Sequence, residues 1–168
     1  PLRYLVEIDA IDILPKLFGE IFTPPAVIRE LQIPHFPEHV RAWAHAPPAW
    51  LRIESPSQVL PISKALHPGE AAAIALALQK NADRILLDDQ QVIPAVERLA
   101  AQQGLPLRAR GTLALLAIAA ELRHVNLAFA LDRLVHHTRF RATPALTQPF
   151  FNPAAGLRQL SASARALL

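Results

Sequence analysis

The run Ala71–Lys80 (AAAIALALQK) constrains this chain more than any other segment. It has helix-forming composition and apolar residues on nearly every side, so covering one face would leave apolar surface in water. Such a helix is expected to lie between other layers. Immediately after it, Asn81-Ala82-Asp83 turns the chain, and Arg84-Ile85-Leu86-Leu87 forms an unbroken apolar stretch ending at Asp88-Asp89. Continuous apolar strands suit a parallel sheet covered on both faces, whereas half-solvated sheets alternate apolar and polar residues.

The surrounding segments extend the same order. Leu2 to Phe18 carries apolar residues at helical spacings and stops at Gly19, which predicts two short helices or one bent one. Glu20–Thr23 reads as a short strand, and Pro24-Pro25 opens a helix over Ala26–Gln32, with proline where its missing N–H is harmless. His39–Ala46 forms a short helix between prolines, and Trp50–Glu54 alternates like a strand. Further on, a helix is expected from about Gln91 to Gln103, a strand at Leu105–Arg108, and helices at Leu113–Leu122, Leu127–His136 and near Ala145. Strand and helix alternate, so the expected architecture is α/β: a three-layer fold with a short, mainly parallel sheet flanked by helices and joined by right-handed crossovers. One domain over residues 1–148, with 149–168 as a tail or helix, fits the 168 residues.

Composition narrows the chemistry. The chain has no Cys, which removes disulfides, thiol catalysis and Cys-built zinc sites. No segment approaches the roughly 20 apolar residues of a membrane span, and no secretory signal is present, so a cytoplasmic protein is expected. The net charge of +3 is small, but with lysine only at positions 16, 64 and 80, 14 of the 17 basic residues are arginine. Arginine suits bidentate phosphate contacts. Arg133, His136, His137, Arg139 and Arg141 form one late basic stretch that either faces a nucleic-acid backbone or is a solvated helix end.

Three sets of carboxylates stand out. Asp88 and Asp89 follow an apolar strand, where ligands collect in open parallel sheets. Adjacent acids repel unless water, a helix N-terminus or a cation relieves them, and Mg²⁺ favours such oxygens; capping the next helix is the plainer role. Glu70 opens the apolar helix, where the helix dipole alone accounts for it. A charge introducing a helix this apolar is nonetheless costly unless paired or metal-bound. Glu30 shares a short helix with Arg29 and, judged by itself, reads as a surface residue.

In order, the segments Ile21–Leu31 (IFTPPAVIREL), His67–Ala77 (HPGEAAAIALA), Ile85–Asp89 (ILLDD) and Gly111-Thr112-Leu113 resemble the PIN-domain superfamily. The chain is most similar to a prokaryotic PIN-like family related to VapC-type toxins. The resemblance runs from Pro1 to about Leu146 and implies a nuclease, of ribonuclease type, hydrolysing phosphodiesters with Mg²⁺ or Mn²⁺. It assigns Glu30, Glu70 and Asp88 as metal-holding catalytic acids, with Asp89 the alternative to Asp88, and Thr112 as a phosphate or metal-water contact whose plainer role is a helix N-cap. In relatives, an apolar strand runs into an Asp just before Pro-Leu. Since the chain begins at Pro1-Leu2 and contains no Met, that first acid is expected upstream of Pro1. The resemblance also implies RNA as substrate, with DNA the second choice, a small antitoxin partner and a homodimer.

Three other readings compete. A catalytically silent PIN-like module binding RNA or a protein would lack the first acid. A phosphate-accepting receiver domain would need a lysine after a late strand, where none stands. A dinucleotide-binding enzyme would need a glycine-rich turn after a strand, and the chain has five glycines and no such turn.

Overall fold

The structure, a computed structural model, describes residues 1–58 and 66–141. The helix expected near Ala145 and the tail at 149–168 lie outside the described residues. In chain order the elements are α1 (Leu2–Glu7), a 3-10 turn (Ile11–Ile13), α2 (Leu14–Leu17), β1 (Ile21–Thr23), α3 (Pro25–Leu31), α4 (Glu38–His45), β2 (Leu51–Ile53), α5 (Pro68–Gln79), β3 (Arg84–Leu86), α6 (Ile93–Gln102), β4 (Arg108–Arg110), α7 (Thr112–Glu121) and α8 (Leu127–His137). The chain has an α/β fold of PIN-like type, with short parallel ladders among helices. None of its described helices is long and apolar enough to cross a membrane.

The expected sheet is present as two parallel ladders. β1 pairs with β2, Ile21 opposite Leu51 and Thr23 opposite Ile53. β3 pairs with β4, Arg84 opposite Arg108 and Leu86 opposite Arg110. No backbone ladder joins the two pairs among the described residues. The last strand also begins later than Leu105–Arg108. Pro106 has no N–H to give a ladder, so pairing starts where Arg108 N donates to Asp83 O at 3.0 Å. Likewise α6 starts at Ile93 rather than Gln91, because residues 89–92 are taken up by a turn in which Val92 N donates to Asp89 O.

Four helices end in one way. After α1, α5, α6 and α7 a single residue takes a left-handed backbone: Asp9 (φ 59°), Asn81 (φ 50°), Gly104 (φ 70°) and Arg123 (φ 59°). The next N–H then reaches back five residues, as from Ala82 to Ala77 O (3.0 Å) and from Ala10 to Leu5 O (2.8 Å). These are Schellman stops, which satisfy otherwise orphaned carbonyls. Asp9 therefore serves as a helix stop.

The chain divides into two compact units, one of Pro1 with Phe18–Gly111 and one of Leu2–Leu17 with the chain from Thr112. In the first, α5 packs on α3, β1 and β3, so the helix that is apolar all round is covered on more than one side. Ile74 and Leu78 from α5 meet Ile85 and Leu87 from the β3 segment, Val96 and Ala100 from α6, and Leu107 and Ala109 from the β4 segment. In the second unit, α8 packs on α1 and α7, with Leu5, Leu14, Leu115, Leu116, Leu131 and Leu134 buried. Asn126 caps α8, its Oδ1 accepting from Phe129 N at 3.1 Å.

Truncating the centre of the first core leaves a cavity lined by rigid elements. Ile74→Ala is expected to cost about 2–5 kcal/mol in urea unfolding. Phe129→Ala removes a side chain that is 60% exposed and is expected to change stability by less than about 0.5 kcal/mol.

Candidate active site

The start of α5 determines the local chemistry. A helix begins with N–H groups that have no partner inside it and with the positive end of its dipole. Here the N-cap residue His67 makes no side-chain cap, and Pro68 at the first position has no N–H to offer. Gly69 is next, and its N–H donates to Glu30 Oε1 at 3.0 Å. The cap thus comes from α3. Arg29 is exposed and Glu30 half-buried, because successive helix residues point about 100° apart. That rotation turns Glu30 toward α5, against the surface placement read from the sequence.

Any side chain at position 69 would displace the Glu30 carboxylate from this approach. A Cβ there would lie 2.6 and 2.7 Å from the two Glu30 carboxylate oxygens, closer than real contacts allow. Glu70 follows in the first turn of α5, half-buried, and makes no hydrogen bond or ion pair among the described residues. One helix start therefore carries two carboxylates from different elements, of which one is bonded to the backbone.

A second acidic position lies at the carboxyl end of the β3–β4 ladder. Asp88 follows buried Leu87, whose N–H donates to Arg110 O at 3.0 Å. Gly111, directly after β4, lets that strand end close on the acid: a Cβ on it would stand 3.1 Å from Asp88 Oδ1 and 3.3 Å from Leu87 O. The Pro1 nitrogen lies 3.0 Å from Asp88 Oδ2. Asp89 is used differently. It is exposed, and its Oδ1 accepts from Gln91 N at 2.8 Å in an Asx-turn. The two adjacent aspartates thus divide into one at the pinched strand ends and one holding the following turn.

Carboxylate oxygens are the hard donors that Mg²⁺ and Mn²⁺ prefer, so the donor chemistry fits a divalent ion. The number does not: among the described residues no three of His, Asp and Glu converge as a metal site. Gly69 and Gly111 were visible only as members of motifs. Their roles follow from side chains that approach them from distant elements.

The basic residues belong to the second unit. Arg133 Nη2 donates to Glu7 O at 3.4 Å, and its guanidinium lies 5.8 Å from the Phe129 ring centroid. His136 Nδ1 is 3.1 Å from Asp132 Oδ1. His137, Arg139 and Arg141 are exposed. Thr112 is the first residue of α7 and 0% exposed.

An α/β domain of this order, with acids at a helix start and at a strand end, is the class of protein the geometry defines. The model of a family described as a PIN domain matches residues 1–155. The chain belongs to that PIN-domain family, a nuclease superfamily whose members generally use divalent metals and act on nucleic acid. No curated protein and no solved structure matches it.

The Glu30–Gly69 contact gives a specific expectation for a double-mutant cycle read by chemical denaturation. Glu30→Ala removes a charge-assisted cap and is expected to cost about 1–2 kcal/mol. Gly69→Ala displaces the Glu30 carboxylate in the wild-type background, whereas in the Glu30→Ala background the clash is gone and alanine is the better helix former. The two costs are therefore expected to be non-additive by more than about 0.5 kcal/mol.

Proposed function

We propose that the chain is a divalent-metal-dependent nuclease domain hydrolysing phosphodiesters, with Glu30, Glu70 and Asp88 as its acids and RNA as its substrate. The observation that carries this reading is the pair of carboxylates at the start of α5. Glu30 is fixed by Gly69, while Glu70 beside it has no protein partner among the described residues. A half-buried carboxylate with no protein partner is open to a cation, whose hard-donor preference it meets. When bound, Mg²⁺ or Mn²⁺ supplies an activated water and charge stabilisation at the leaving oxygen.

The chain's own residues do the holding. Glu30 keeps one oxygen on the helix backbone and has the other left over. Glu70 is oriented by the first turn of α5, and Asp88 by the closure of Gly111 on the strand end. The Asx-turn favours Asp88 over Asp89 as the strand-end ligand. Three acids leave a divalent ion in need of further oxygen donors. Arginine excess suits the phosphates of either nucleic acid, the choice of RNA rests on resemblance, and the basic stretch Arg133, His136, His137, Arg139 and Arg141 supplies candidate backbone contacts. The burial of Thr112 supports a role in starting α7. A VapC-like toxin with a small antitoxin, a homodimer and a cytoplasmic location is the finer form of this reading and rests on resemblance.

The second reading, a PIN-like module that binds RNA or protein without cleaving, is favoured by the absence of a three-donor set among the described residues. Cleavage of single-stranded RNA in Mn²⁺ separates the two. Asp88→Asn and Glu70→Gln are each expected to lower it by roughly 10²-fold or more, the effect of several kcal/mol of lost stabilisation. Asp89→Asn is expected to stay within about threefold. Equal cleavage by wild type, Asp88→Asn and Glu70→Gln contradicts the assignment of these acids as catalytic.

A further inference from the structure

The β3–β4 ladder carries an arginine face that none of the site residues above includes. Along β3, Ile85 is buried in the core while Arg84 and Leu86 turn the other way; along β4, Ala109 is buried and Arg108 and Arg110 turn the other way. Parallel register sets Arg84 opposite Arg108, and Arg110 two residues further along the same face. With a rise of about 3.3 Å per residue, Arg108 and Arg110 leave the strand about 6.6 Å apart.

Arg108 and Arg110 are like charges held close on one strand. Arg108 is exposed and Arg110 half-buried, and neither forms an ion pair with a carboxylate among the described residues. Instead their Nη1 atoms donate to backbone carbonyls one residue back, Leu107 O (3.3 Å) and Ala109 O (2.7 Å), and Arg84 Nη1 does the same to Asp83 O (2.9 Å). Burial, then Arg84, pulls the Arg110 guanidinium below its ordinary pKa; Arg108 adds to this, and Glu97 opposes it. Glu97 also holds the strand: its Oε1 accepts from Ala109 N at 3.0 Å. That bond occupies a backbone donor of β4, leaving the arginine face, more than the strand edge, as the available surface.

We propose that Arg84, Arg108 and Arg110 form a track for successive phosphates of a single-stranded nucleic acid, leading along β4 toward Asp88. Charge complementarity identifies the occupant, since guanidinium forks in a row match phosphate oxygens. Its direction follows from continuity: Arg110 is joined to Gly111, which closes on Asp88, and Arg110 O accepts from Leu87 N. The track rests on the nuclease reading for its purpose, and its test does not depend on cleavage.

Binding of a labelled single-stranded RNA and of the DNA of matching sequence is measured in EDTA, where the metal reaction is absent, across about 50 to 200 mM salt. Each of Arg108→Gln and Arg110→Gln is expected to weaken binding roughly threefold or more at the lower salt, and to reduce the slope of log affinity against log salt by about 0.7. Arg108→Lys and Arg110→Lys keep the charge and are expected to keep the slope, which separates lost phosphate contact from lost folding. Loss with RNA and DNA alike supports a backbone track, and loss with RNA alone supports one that also reads the ribose. An unchanged slope in both glutamine variants overturns the track. So does loss of a poly-glutamate peptide with RNA binding retained, which would make the face a protein-docking surface. Cleavage that depends on Asp88 alongside an unchanged slope removes the track and leaves the nuclease; a reduced slope without cleavage does the reverse.

Discussion

The hydrogen bond from Gly69 N–H to Glu30 is the contact on which the rest of this site depends. The α5 helix is apolar on nearly all sides and packs among other elements, and in its first turn Gly69 is buried, where an orphan N–H cannot rely on water. Neither His67 nor Pro68 can cap it with a side chain. Glu30, reaching in from α3, fills that need and is thereby fixed beside Glu70. A requirement of folding, to satisfy a helix start, is met by one carboxylate, and the proposed nuclease chemistry would use its second oxygen.

The same economy appears at the second acidic position. A parallel ladder delivers the ends of β3 and β4 side by side, and Gly111 lets them close until Asp88 is pinched against the β4 end. Asp89, one residue on, is drawn into the turn that leads to α6. Two chemically identical neighbours thus acquire different work from backbone geometry alone. The ladder's other residues carry this further, since its alternation sends Ile85 and Ala109 inward and three arginines to the opposite face.

Much of this was legible in the residues. The helix over Ala71–Lys80, the proline-opened helix after Thr23, the Gly104 stop and the parallel pairing all follow from local composition and alternation, because local propensity and burial agree there. What was not legible depends on distant partners. Glu30 and Gly69 are 39 residues apart, and nothing in the neighbourhood of Glu30 indicates that its rotation on α3 faces another helix. The late start of β4 was readable in principle from Pro106, whose missing N–H moves the ladder beyond the apolar pair Leu105 and Leu107. The division of the sheet into two ladders has no such local mark, since pairing is decided between segments. Expected residues at the strand end and helix start were placed there by the fold, whereas the basic stretch around Arg133 proved to be partly engaged within its own unit, with Glu7 O and Asp132.

The proposed nuclease function requires the α5 start and the β3 end to present carboxylates together to one divalent cation. Paramagnetic broadening by substoichiometric Mn²⁺ tests it most directly, read on the backbone amide resonances of the isotopically labelled protein. Early, selective loss of the Gly69, Glu70, Asp88 and Gly111 signals is expected, reversed by excess Mg²⁺. Broadening confined to the surroundings of Asp132 and His136, with those four signals intact, would contradict it.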